Sequence, residues 1–125
     1  MRVNIYKTVE DLIQAMADHV VMVARNTIAA HGVFNIALSG GNSPRKLYEL
    51  LATDEYNRQI DWSKVNFFFG DERYVPADDA QSNSHMIQKC LFDPLKIPAS
   101  QIFKIDTTLT PDEAAKEYNE TIVIL

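Results

Sequence analysis

The sequence predicts an α/β fold, a Rossmann-like parallel sheet flanked by helices. Two observations predict it. Short apolar runs alternate with stretches whose apolar residues recur at helical spacing, in the order β-α-β-α-β. Two of those runs, Val33–Leu38 and Val65–Phe69, stop at polar, glycine-bearing loops. In a parallel sheet such loops share one edge, beyond the carboxyl ends of the strands, where ligands bind.

The elements follow in chain order. Arg2–Tyr6 alternates polar and apolar residues and reads as a short strand. Thr8 is a helix N-cap, and Glu10 and Asp11 place acid in the first turn. Val9, Leu12, Ile13, Met16, Val20, Val23, Ala24 and Ala29 trace one helix face, which ends near His31 with Gly32 just beyond. Val33–Leu38 is nearly continuous in apolar residues, as expected of a strand buried on both faces under helices lying on both sides. A helix is expected from Pro44 to about Thr53, with Ser43 as N-cap and Pro44 at the first helical position. Tyr56–Ser63 is a polar connection anchored by Trp62, and the aromatic strand Val65–Phe69 ends at Gly70. Met86, Ile87, Cys90 and Leu91 give helical spacing over Ser82–Phe92, which Asp93-Pro94 is expected to break. Gln101–Ile105 reads as a fourth strand. Thr110-Pro111-Asp112-Glu113 opens a last helix, whose β-branched end, Ile122–Leu125, is expected to form an apolar sheet edge.

At 125 residues the chain is one domain, with 46% apolar and 23% charged residues. A net charge of −5 argues against nucleic acid or an anionic membrane as the main partner. The one cysteine, Cys90, allows no intrachain disulfide and fits a reducing, cytoplasmic compartment. It falls on an apolar helical stretch and reads as a structural thiol. No signal peptide and no run of membrane-spanning length are evident. His19, His31 and His85 fall on helices and read as structural.

The chemistry concentrates in the two loops. Ser39-Gly40-Gly41-Asn42-Ser43 joins a strand to a helix N-terminus, whose free N–H groups and dipole attract anions, phosphate above all. The two glycines let a ligand approach the backbone, and Arg45 and Lys46 add positive charge to the first turn. A bare Gly-Gly also serves as a tight βα turn. Neither the dinucleotide nor the P-loop glycine pattern is present. In the second loop, Gly70-Asp71-Glu72-Arg73-Tyr74-Val75-Pro76, Arg73 suits an anion clamp and Asp71 a hydroxyl acceptor; a charged triplet also serves as a solvated turn. Ser82 and Asn83 start the next helix, as caps or as ligand contacts.

In tandem, Ser39-Gly40-Gly41-Asn42-Ser43-Pro44, Asp71-Glu72-Arg73-Tyr74-Val75-Pro76 and Ser82-Asn83 resemble the amino-terminal half of the 6-phosphogluconolactonases. These belong to the fold group of the hexosamine-phosphate isomerase/deaminases, ribose-5-phosphate isomerase A and the CoA transferases. The resemblance runs from the first strand to the helix after Pro111 and implies that 1–125 is a single, incomplete domain of that kind. It implies that Gly40, Gly41, Asn42 and Ser43, with Ser39, Arg45, Ser82 and Asn83, line a sugar-phosphate pocket. It further implies that Asp71 and Arg73 contact the substrate or order a catalytic histidine. The implied reaction is hydrolysis of 6-phospho-D-glucono-1,5-lactone without metal or organic cofactor. The family's G-x-G-x-D-G-H segment, which carries the histidine taken as general base, has no match in this sequence. The amino-sugar-phosphate deaminases have Asp-Glu-Tyr where this chain has Asp71-Glu72-Arg73, so Arg73 favours the lactonase. A non-catalytic sugar-phosphate-binding module is the alternative from another class. The apolar end of the chain implies association with itself or with a missing half.

Overall fold

The computed structural model describes residues 5–124, with the side chain of Ile124 left out. Helix α1 spans Val9–His31. The Thr8 hydroxyl accepts from Asp11 N–H at 3.1 Å, and Gly32 closes the helix in the left-handed region, φ 79°, as the caps predict. The buried stripe is Ile13, Ala17, Val21 and Ala24. It is rotated from the expected face, so Val9, Leu12 and Met16 are exposed. The two alanines explain the rotation: both are fully buried, and their small side chains allow the closest approach.

Strands β1 (Phe34–Leu38), β2 (Val65–Phe69) and β3 (Ile102–Phe103) form a parallel sheet in the order β1-β2-β3. Phe34 pairs with Val65 and Leu38 with Phe69, while Phe67 pairs with Ile102. The expected strand over Arg2–Tyr6 lies outside the described residues, except for Ile5 and Tyr6, which belong to no strand. Gln101 precedes β3 in a short turn, and its amide instead holds the carbonyls of Trp62 and Val65, each at 2.7 Å.

The core lies on one face of this sheet. Leu38, Val65, Phe67 and Phe69 point into it together with residues of α1, of α2 (Asn42–Leu51) and of α4 (Asn83–Ile87) with the turn that follows it. Phe92 meets Phe67 edge-on at 5.1 Å between ring centroids, and Trp62 stacks on Phe67 at 6.1 Å. Trp62 also donates to the Asn57 carbonyl, so it anchors its connection, which contains the one-turn helix α3 (Asp54–Asn57).

The other face carries Asn35 and Ala37, both exposed, the Asn66–Asn35 amide pair at 3.1 Å, and the half-buried stack of Phe68 on Phe103 at 4.9 Å. The expectation that β1 is buried on both faces is therefore corrected. Three parallel strands laid down in one direction by right-handed crossovers put both helical connections on the same side.

Asp93-Pro94 does not end its helix. A wide turn over Gln88–Phe92 leads into α5 (Asp93–Leu95), and the helix stops at Lys96, φ 56°. The wider winding accommodates a ring that has no N–H to donate. Helix α6 covers Pro111–Ile124 with Thr110 as N-cap, its hydroxyl accepting from Glu113 N–H at 3.3 Å. Ile122 and Val123 are thus helical rather than a sheet edge, and are 48% and 73% exposed. The 14-residue propagation of a capped helix overrides the strand preference of those β-branched residues. Leu125 lies outside the described residues. Among the described residues no helix is long and apolar enough to cross a membrane.

Candidate functional site

The two predicted loops leave the sheet side by side. Gly70 N–H donates to the Leu38 carbonyl at 2.9 Å, one step beyond the last strand pair, Leu38 with Phe69. Ser39 and Asp71 therefore start from adjacent points on one edge.

Helix α2 begins two residues earlier than expected. Gly41 is its N-cap, with φ 108° and ψ 171°, a backbone region that is essentially glycine's alone. A Ser43 N-cap would need an extended residue where the chain is already helical. Pro44 stands third in the helix, where it still has no intrahelical bond to lose. The first intrahelical donor is Arg45 N–H, to the Gly41 carbonyl at 3.1 Å. The N–H groups of Asn42 and Ser43 are left without an intrahelical acceptor, at the positive end of the helix, and both residues are exposed.

Tyr48 fastens the other end of this loop. Its buried ring sits on α2, and its hydroxyl accepts from Ser39 N–H at 3.0 Å and donates to the Ser39 carbonyl at 2.8 Å. Burial pushes the phenol above its usual pKa, and the bonds to Ser39 oppose that only in part. Tyr118 does the same for the neighbouring strands. It accepts from Phe69 N–H and donates to the Phe103 carbonyl, both at 2.7 Å, prolonging the β2–β3 ladder. Neither tyrosine was identified from the sequence. The signal was an aromatic with a polar tip on each following helix.

The two glycines serve different purposes. Gly40 has no positive φ; a Cβ there would stand 2.0 Å from Asn83 Oδ1 and 2.6 Å from its Cγ. The space in front of Gly40 is thus filled by Asn83 rather than left open to a ligand. At Gly41 the nearest atom to such a Cβ is Pro44 Cδ at 3.7 Å. Close backbone approach from solvent belongs to Gly41, Asn42 and Ser43.

In the second loop the middle residue turns inward. Glu72 Oε1 accepts from Arg73 N–H at 2.8 Å and Asn83 N–H at 2.6 Å. Its Oε2 accepts from Ser84 N–H at 2.9 Å and the Ser82 hydroxyl at 3.1 Å. Burial alone raises this carboxyl; the N–H donors of Ser84, Asn83 and Arg73 outweigh it and hold the group below its ordinary value, as a carboxylate at neutral pH. Sequence reasoning passed over Glu72 because an acid flanked by two charges reads as solvated.

Asp71 and Arg73 both face solvent. Asp71 accepts from the Asn83 amide through its carbonyl at 3.3 Å and its carboxylate at 3.4 Å. Arg73 forms no ion pair among the described residues. The loop is tied down beyond it, where the Thr107 hydroxyl donates to the Val75 carbonyl at 2.7 Å. Ser82 and Asn83 are only 2% and 3% exposed, and their polar atoms are engaged within the protein, which makes them supports of the edge rather than open contacts. Arg45 turns back along α2 to Glu49 at 3.5 Å, and Lys46 borders a groove shared with α1 and α3. Their positive charge flanks the helix N-terminus without standing in front of it.

The edge therefore presents free amides, an unpaired guanidinium and a carboxylate, a set suited to a phosphorylated polyol. Among the described residues no group of three His, Cys, Asp or Glu could hold a metal ion. His19 and His31 are exposed on α1, and His85 is half-buried on α4, its N–H donating to the Ser82 hydroxyl.

The family model of glucosamine-6-phosphate isomerases/6-phosphogluconolactonase matches residues 7–124. The chain is 33% identical over 117 residues to the 6-phosphogluconolactonase of Haemophilus influenzae, covering 94% of this chain and 49% of that one. The Treponema pallidum 6-phosphogluconolactonase is 34% identical, over 87% of this chain and 45% of its own length. The solved 6-phosphogluconolactonase of Trypanosoma brucei superposes with a TM-score of 0.84 at 28% identity, covering 98% of this chain and 49% of that one. The chain thus spans about half the length of the curated relatives it matches. With its parallel sheet, paired loops and near-complete match to one family model, the chain belongs to the glucosamine-6-phosphate isomerase/6-phosphogluconolactonase family.

Proposed function

We propose that this chain supplies the phosphosugar-binding wall of a 6-phosphogluconolactonase, which hydrolyses 6-phospho-D-glucono-1,5-lactone to 6-phosphogluconate in the oxidative pentose phosphate pathway. The observation that carries this is the shared edge. The amides of Asn42 and Ser43 lie beside a loop that exposes Asp71 and the unpaired Arg73. A phosphate at the helix N-terminus sets the substrate in register, and Arg73 meets negative charge on phosphate or on the developing oxyanion. In the reaction a water deprotonated by a base attacks the ring carbonyl carbon. The ring C–O bond then breaks, and the ring oxygen takes up a proton, leaving a hydroxyl and a carboxylate.

We place the base outside this sequence, because the family's G-x-G-x-D-G-H segment has no match here and the described histidines lie on α1 and α4. The chain alone is accordingly expected to bind without turnover. Calorimetry with 6-phosphogluconate, alongside lactone opening followed against the spontaneous rate, tests both points. Absence of binding overturns the phosphosugar reading, and robust turnover overturns the assignment of the base elsewhere. Arg73 supports the lactonase over the amino-sugar-phosphate deaminase. A cytoplasmic setting is part of the same proposal, supported by the lone Cys90. So is self-association, supported by the uncovered sheet face and by exposed Ile122 and Val123. A monodisperse monomer in light scattering would remove that last element.

A further inference from the structure

We infer that Glu72 is a positioning residue of the site, setting the D-E-R loop against the glycine loop through Asn83. Among the described residues Glu72 makes no hydrogen bond to Gly40 or Gly41. Its carboxylate accepts four bonds, two of them from backbone N–H groups at the start of α4. Those bonds place Asn83, the first residue of α4. The Asn83 side chain fills the space that a Cβ on Gly40 would need, and its amide reaches the Asp71 carbonyl and carboxylate. One half-buried carboxylate therefore fixes three things together: the N-terminus of α4, the packing against Gly40, and the outward direction of Asp71 and Arg73 on either side.

The chemistry calls for a glutamate. An ionised carboxylate is acceptor-only and can meet all four donors. A glutamine turns one end into an NH₂ group facing donors, and an aspartate is one methylene too short to span both pairs. Simple helix capping would account for the bonds to Asn83 and Ser84 but gives no reason for the glycine loop to respond when Glu72 changes. The proposal rests on the phosphosugar reading only for the affinity measurement below.

The test uses the full chain, ¹⁵N-labelled, as wild type, Glu72→Gln, Asn83→Ala and the double variant. Amide shifts of Gly40, Gly41, Asn42 and Ser43 are read first, then affinity for 6-phosphogluconate. In Glu72→Gln those four amides are expected to move although Glu72 hydrogen-bonds to none of them, and Asn83→Ala should reproduce the pattern. Each single variant should bind about tenfold more weakly, and the double about tenfold rather than a hundredfold, because both act through one contact. Unmoved loop amides in folded Glu72→Gln, or losses that multiply, overturn the proposal. If Glu72→Gln does not fold, Asn83→Ala decides alone, since it leaves the backbone bonds to Glu72 in place; unmoved loop amides in that variant are the overturning result. A wild-type chain that fails to bind 6-phosphogluconate removes the phosphosugar reading, while the amide shifts still decide the role of Glu72.

Discussion

Replacing Gly40 with alanine tests the contact on which the edge depends. The new Cβ would lie 2.0 Å from Asn83 Oδ1, 2.6 Å from Cγ and 3.1 Å from Nδ2. The backbone at Gly40 is not in the left-handed region, so the penalty is steric and not conformational. Asn83 cannot swing away freely, because it is buried, its N–H is held by Glu72 and its amide by Asp71. Overpacking costs about 1–3 kcal/mol, and loss of a hydrogen bond to Asp71 adds about 1 kcal/mol. Gly40→Ala should therefore destabilise by about 3 kcal/mol, read by urea unfolding at constant m-value. In an Asn83→Ala background all three clashing atoms are gone. The same substitution should then cost less than about 1 kcal/mol, a coupling of about 2 kcal/mol. Gly41→Ala is the control: its strain arises at φ 108° and should cost about 1–3 kcal/mol in either background. If Gly40→Ala costs the same with and without the Asn83 side chain, the steric argument is wrong.

Three further outcomes are expected. Tyr48→Phe removes both bonds to Ser39 and should cost about 1–2 kcal/mol in urea unfolding, with amide shifts concentrated at Ser39–Gly41. The Glu72 carboxyl has a lower pKa folded than unfolded, so its contribution is complete above the ordinary glutamate value of 4.5 and is lost as pH falls through the folded value. Glu72→Gln should therefore flatten the acid limb of the stability profile below pH 4.5 and lower the plateau at pH 7. Burial pushes the Cys90 thiol up to about 11, with Glu49 adding to it, so alkylation followed by mass spectrometry should be slow at neutral pH and still be rising at pH 10.

What the sequence by itself determined was local. Thr8, Gly32 and Thr110 cap their helices because capping is a contact among neighbours in the chain. The two apolar runs became parallel strands with their loops on one edge, since alternating elements permit few other arrangements. The tertiary structure decided what depends on residues far apart in the chain. Apolar residues alone could not show that β1 has an open face, because that follows from strand order. Nor could Asp71-Glu72-Arg73 show which of its charges turns inward; the answer lies in the free N–H groups of Asn83 and Ser84, which only the fold delivers. The pair Gly40-Gly41 looked like one device for admitting a ligand. Packing separates them: Gly41 is required by its own backbone angle, and Gly40 by a side chain from another helix.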